Sequence, residues 1–171
     1  MAEVSLEAIK SLREQTSAGV MDCKNALQEA DGDFVKAAEL LRQKGLTIAA
    51  KKSLRETLEG VVDCYIHTGN RVGAIVEVNC ETDFVARTPE FKELVHNLAM
   101  QVAAMAPRYV DNESIPDGDA VNPEEACLME QPFIKDPVQT IRDLVTETTA
   151  RVGENIRVRR FERFAIGESQ D

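Results

Sequence analysis

The sequence predicts an α+β protein: an N-terminal three-helix bundle followed by an antiparallel sheet covered by helices. Three observations lead there. Apolar residues recur at helical spacing through residues 1–56, and at Gly60 that period gives way to the two-residue alternation of strands. Two β-branched runs meet at Gly69-Asn70, the mark of a hairpin rather than a crossover. Two later stretches set cap signals around an apolar stripe, which places helices between the hairpin and a last strand.

Val4, Ala8, Ile9 and Leu12 share one face of a first helix, interrupted at Thr16-Ser17-Ala18-Gly19. A second helix is expected to turn Val20, Cys23 and Leu27 inward. Asp31-Gly32-Asp33 makes a turn whose last Asp caps a third, with Phe34, Ala37, Ala38 and Leu41 on one face and Gly45 at its end. Residues 45–56 continue as a connecting helix. The strands VVDCYIHT and VGAIVEVNCE follow. Thr88 then caps and Pro89 opens a helix striped by Phe91, Leu94, Val95, Leu98, Val102 and Met105, which runs to Pro107.

Residues 107–136 carry eight acidic and two basic side chains and four of the six prolines. That composition predicts a long solvated connection with at most one short helix, near 123–129. Asp136 and Pro137 are expected to start the second covering helix, which buries Val138, Ile141, Leu144, Val145 and Val152 and stops at Gly153. NIRVRRF completes the sheet, and its alternation slips near Arg160 and Phe161, the sign of a bulge. The chain therefore divides into a helical unit at 1–56, an α+β core at 57–166 and a tail at 167–171.

Charge narrows the function classes. With 30 acidic and 20 basic residues the formal charge is −10, so direct nucleic-acid binding requires a clustered basic face. Arg157, Arg159, Arg160 and Arg163 form the single local cluster, diluted by Glu154, Glu162 and Glu168, and read as a solvated sheet face. No apolar run reaches the roughly 20 residues of a spanning helix, and MAEVSLEAIK lacks a signal pattern. The expected location is the cytoplasm, without membrane attachment.

Enzyme chemistry finds little support. Cys23, Cys64, Cys80 and Cys127 form no C-x-x-C pair and are expected to be reduced, buried apolar residues. His67 and His96 have no Cys or Asp partner assignable from spacing, and Asp31-Gly32-Asp33 lacks the order of a calcium loop. No phosphate-binding glycine loop is present. The expectation is a protein that is not an enzyme and needs no cofactor or metal. One segment breaks the local rules: Cys80 to Arg87 sets Phe84 and Val85 beside two acids and an Arg where a strand meets a helix. Phe84 there either covers the sheet edge or faces a partner.

Three segments, LREQTSAGVMDCKNALQEADGD at Leu12 to Asp33, YIHTGNRVGAIVEVNCETDFVAR at Tyr65 to Arg87 and GENIRVRRFERF at Gly153 to Phe164, closely resemble the elongation factor Ts family, in the family's order. The resemblance covers nearly the whole chain. It implies a ubiquitin-associated-like domain, then a core that binds elongation factor Tu in its GDP form and promotes nucleotide release by guanine nucleotide exchange. Thr82, Asp83, Phe84 and Val85 would intrude near the partner's magnesium site, and Met21, Asp22 and Lys24 would touch its nucleotide-binding domain. Ser17 and Asn25 depart from the family's usual Gly and Lys. Longer members carry a second core copy and a coiled coil, whereas a short chain recovers a two-fold core by pairing, so the resemblance implies a homodimer. A competing reading is a non-catalytic protein-binding module that uses the N-terminal bundle alone.

Overall fold

A computed structural model describes residues 4–16 and 18–168. Ser17 and residues 169–171 of the expected tail lie outside the described residues.

The N-terminal part holds α1 (Leu6–Thr16), α2 (Val20–Glu29) and α3 (Phe34–Lys52). Ile9, Leu12, Cys23, Ala26, Leu27 and Ala37 form a small core of their own. Asp33 caps α3, its carboxylate accepting from the Lys36 N–H at 3.0 Å. Two expectations need correction. Gly45 does not end α3, which runs seamlessly into the connecting segment as far as Lys52. A lone helical glycine costs about 1 kcal/mol, and here it faces Ala150 across a close helix contact, where a Cβ would lie 3.7 Å from the alanine's. Val20 is not buried either: it occupies the first turn of α2, beyond the bundle core, and lines a groove instead.

The core sheet has the order β1-β2-β5, with β1 (Glu59–Ile66), β2 (Val72–Cys80) and β5 (Ile156–Ala165) all antiparallel. At Gly60 a Cβ would fall 2.2 Å from the Val78 carbonyl oxygen, so only glycine lets β1 lie this close to β2. The hairpin turns through Gly69 and Asn70, both at positive φ, and closes with His67 N–H on the Val72 carbonyl at 2.9 Å. The bulge is present: Val78 pairs with Val158 and Glu77 with Arg160, which leaves Arg159 as the extra residue. The inner face, led by Ala74, Val76, Val78, Ile156 and Val158, packs beneath α5 (Pro89–Met105). The Thr88 hydroxyl caps α5 through Phe91 N–H at 3.3 Å, and Phe91, Leu94, Val95, Leu98 and Val102 are buried. The four-residue helix α4 (Asp83–Ala86) precedes α5.

The acidic connection is solvated only in its first half. From α6 (Pro123–Ala126) onward the chain re-enters the core, with Ala126, Cys127, Leu128, Gln131 and Phe133 buried. Gln101, wholly buried on α5, holds this return: its amide donates to Gln131 Oε1 at 3.1 Å and the Pro132 carbonyl at 3.0 Å, and accepts from Ile134 N–H at 3.0 Å. The return ends in a two-stranded pair, β3 (Pro132–Phe133) and β4 (Asp136–Thr140). The expected helix start at Asp136 is therefore wrong. Pro137 sits in β4, Val138 is 96% exposed, and α7 (Ile141–Val152) begins at a capping box in which Thr140 and Asp143 satisfy each other's backbone N–H groups. That reciprocal cap outcompetes the single Asp-Pro signal four residues earlier. Gly153 ends α7 at φ +78°. Helix α3 packs along α7, joining the bundle to the core.

Candidate functional site

The site is built where β2 ends. Thr82, in extended conformation, caps α4, and the helix lasts one turn before Arg87 and the Thr88 cap of α5. That turn is amphipathic. Val85 and Ala86 are buried in the core, whereas Asp83 and Phe84 point outward, Phe84 at 83% exposure. Fully burying a phenylalanine yields about 1.5–3 kcal/mol, so the fold forgoes that gain at Phe84 while taking it at the neighbouring valine. Covering the sheet edge is thus the role of Val85. Asp83 is held beside the ring by an ion pair to Arg87 at 2.8 Å, one helical turn on.

Thr82 is not itself free. Its N–H donates to Glu154 Oε2 at 2.9 Å and its hydroxyl donates to Glu154 Oε1 at 2.6 Å. The adjacent Glu81 accepts the Asn155 N–H at 2.6 Å and faces Arg55 at 3.4 Å. The Asn155 N–H, with the Arg55 charge second, holds the Glu81 carboxyl below its ordinary value. The Asn155 side chain donates to the Arg55 carbonyl at 2.8 Å, and Lys52 donates to the Gly153 carbonyl. One knot therefore ties together the end of α3, the end of β2 and the turn between α7 and β5.

Met21, Asp22 and Lys24 lie on α2, in the other part of the molecule. Met21 is 62% exposed and Lys24 is exposed, while Asp22 is half-exposed and paired with Lys44 of α3. No hydrogen bond or ion pair among the described residues joins this group to Thr82–Val85, so the chain presents two separate patches.

A third surface is apolar toward the hairpin end of the sheet. Val62, Cys64 and Ile66 on β1, Ile75 on β2 and Phe164 on β5 share the outer face by register and are all exposed, with Glu162 opposite Ile75 and the Glu77–Arg160 ion pair opposite Val62. Cys64 thus departs from the burial expected of it, because even positions of β1 face away from α5. Gly73 lies among them, and a Cβ there would meet the Ile66 side chain at 2.6 Å, so its absence lets that chain lie across the sheet.

Of the four free cysteines, Cys64 alone is exposed, and Cys23, Cys80 and Cys127 are buried. Burial, with the Glu154 charge second, pushes the Cys80 thiol up to about 11, and burial likewise raises Cys127, so both stay protonated and unreactive. His96 meets Asp63 at 3.1 Å, a pairing between α5 and β1 that spacing did not assign. Among the described residues, no three His, Cys, Asp or Glu side chains converge to hold a metal ion, and no helix is long and apolar enough to cross a membrane. Of the residues that build the site, the sequence pattern does not single out Glu154, Asn155 or Arg55, and it marks Glu81 only as one of the two acids beside Phe84. Glu154 had read as a diluent of the arginine cluster, and its one signal was its place in GENIRV, immediately after the Gly153 helix stop.

Residues 7–122 match the model of the family described as Elongation factor TS. A protein named elongation factor Ts from Carboxydothermus hydrogenoformans is 48% identical over 195 aligned residues, spanning 96% of this chain and 90% of the relative. One of the same name from Moorella thermoacetica is 50% identical, covering 94% of each chain. Another, from Thermotoga neapolitana, is 47% identical over 97% of this chain and 98% of its own. The first alignment is longer than the 171 residues present here, so that relative carries residues without a counterpart in this chain. With the motifs, the antiparallel core and matches over nearly its whole length in agreement, the chain belongs to the elongation factor Ts family of translation elongation factors.

Proposed function

We propose that this protein is a guanine nucleotide exchange factor that binds elongation factor Tu in its GDP form and promotes GDP release by disturbing the partner's Mg²⁺ site. It acts without covalent chemistry, as a binding protein rather than an enzyme, in the cytoplasm. The observation that carries this reading is the exposed Phe84 on a turn whose other side is locked into the core. An aromatic ring displayed on a rigid element is suited to insertion between the elements of a partner.

A metal ion that bridges nucleotide phosphates to protein side chains supplies a large share of nucleotide affinity. Phe84 is the wedge that shifts those elements, with Asp83 beside it offering a carboxylate to displaced polar groups. Thr82 and Val85 anchor the wedge from the two sides. Met21, Asp22 and Lys24 dock the N-terminal bundle, read as ubiquitin-associated-like, on the partner's nucleotide-binding domain; Lys24 is the exposed cation of this group and Met21 its exposed apolar contact. The test is release of fluorescent GDP from preloaded elongation factor Tu. Micromolar protein should accelerate it, and an unchanged rate would overturn the proposal.

The apolar outer face of the sheet favours a second copy of the chain as its occupant. A sheet with one face on its own helix and the other apolar toward its hairpin end, rimmed by Glu162 and the Glu77–Arg160 pair, is suited to be half of a two-sheet sandwich. We read the protein as a homodimer joined through Val62, Ile66, Ile75 and Phe164. The rival reading, a binding module confined to the N-terminal bundle, leaves both Phe84 and this face without a role; it would be favoured if residues 1–56 alone captured the partner as well as the whole chain.

A further inference from the structure

Glu154 follows the helix stop at Gly153, and Thr82 lies 72 residues earlier, yet both carboxylate oxygens of Glu154 serve that one residue. Oε2 takes the backbone N–H at 2.9 Å and Oε1 takes the hydroxyl at 2.6 Å. A two-point, charge-assisted grip fixes the backbone and the side-chain rotamer of Thr82 together. The turn needs such a grip. A single turn of helix has no cooperative stability of its own, and the cap bond from Val85 N–H to the Thr82 hydroxyl is long, at 3.4 Å. The orientation of α4 is therefore set from outside: by Val85 and Ala86 in the core on one side and by Glu154 at its start.

We propose that Glu154 is a positioning residue for nucleotide exchange, acting through Thr82 to fix the angle at which α4 presents Asp83 and Phe84. The proposal rests on the reading of this turn as the exchange element. Glu154 has a second neighbour consistent with the role: Asn155 next to it holds Glu81, on the other side of Thr82, at 2.6 Å. The two residues after the helix stop thus clamp the two residues that lead into the wedge. Loosening the clamp leaves the apolar contacts of Phe84 available for binding but spreads them over many orientations. Only a fraction of encounters then reaches the geometry that displaces the partner's elements, so the maximal rate falls while docking persists.

The experiment compares the full-length protein with Glu154→Ala, Glu154→Gln, Thr82→Val and Phe84→Ala in stopped-flow release of fluorescent GDP from elongation factor Tu, titrated to saturation, with melting curves alongside. Glu154→Ala is expected to lower the maximal rate about tenfold, with the half-saturating concentration unchanged within about twofold. Glu154→Gln keeps acceptor capacity and should recover part of the loss. A wild-type maximal rate for Glu154→Ala, with Phe84→Ala slowed, overturns the positioning role alone. A wild-type rate for Phe84→Ala overturns the turn as the exchange element, and this inference with it. A loss in Glu154→Ala confined to the half-saturating concentration makes Glu154 a docking contact and overturns positioning. Where Glu154→Ala is unfolded at the assay temperature, Thr82→Val decides: it removes the hydroxyl half of the grip, together with the long cap bond to Val85 N–H, and leaves the N–H half in place. Its maximal rate should fall, and an unchanged one overturns the inference.

Discussion

Replacing Phe84 by Ala separates the two roles an aromatic residue can have at a junction. The ring is 83% exposed, so its deletion removes few contacts in the free protein. Surface changes of this kind alter stability by about 0.5 kcal/mol or less, and alanine is the better helix former. In the complex the same ring would be buried. Losing a buried aromatic contact at the centre of an interface costs about 2–3 kcal/mol, which at 1.4 kcal/mol per factor of ten predicts exchange efficiency lower by about 30- to 140-fold. The assay is the rate of fluorescent GDP release against factor concentration, with urea unfolding of the same preparation. Two results would refute the reasoning. One is exchange within twofold of wild type. The other is destabilisation by about 2 kcal/mol or more with normal exchange per folded molecule, which would make Phe84 a packing residue despite its exposure.

Three further outcomes are expected. Ile75→Lys puts a charge opposite Glu162 in the middle of the outer sheet face and should convert a dimer to a monomer in light scattering with little change in melting temperature; a persisting dimer would move the interface elsewhere. Gln101→Leu removes three hydrogen bonds from a fully buried amide and strands the Gln131 side-chain Oε1, the Pro132 carbonyl and the Ile134 N–H; urea unfolding should show a loss of about 3–5 kcal/mol, larger than for an apolar truncation of equal size. Glu81 is held below its ordinary 4.5 first by the Asn155 N–H and then by Arg55, so its contribution to stability is present above pH 4.5 and is lost as pH falls through its lower folded value. The melting difference between wild type and Glu81→Gln should accordingly be constant from pH 7 to 5 and close below it.

Local signals in the sequence were dependable where a single interaction decides the outcome. Thr88-Pro89, Asp33 and Gly153 cap helices because each satisfies backbone groups that nothing else reaches. Competition produced the errors. Asp136-Pro137 is a good helix start, but Thr140 and Asp143 make a better one, and the pairing of Phe133 with Asp136 claims the intervening residues as strand. Gly45 looks like a stop until Ala150 is placed against it. Composition misled at 107–136, whose acids and prolines hide Leu128 and Phe133, buried through a glutamine pair that has no periodic signature. The same limit applies to the site. Thr82 to Val85 stood out as a local irregularity, whereas the groups that hold them are distant in sequence: Glu154 and Asn155 follow the helix stop at the far end of the core, and Arg55 lies before its first strand.

The arrangement also bears on how such a protein leaves its partner. Linkage requires that a factor which weakens GDP binding is itself bound more weakly by the same factor when GDP is present. On the proposed function, a wedge that was flexible in the free protein would dock loosely on the nucleotide-bound partner and become ordered only where the partner's elements have moved, so the entropy cost of ordering it would fall on the nucleotide-free complex alone. That cost would oppose exchange. A wedge already fixed, by Val85 and Ala86 below and Glu154 beside, directs the interaction energy of Phe84 into the difference between those two states. Only that difference moves nucleotide off the partner and later returns the factor to solution. On the proposed function, the rigid placement of one exposed aromatic, rather than the size of the contact surface, is therefore the property of this fold that exchange would draw on.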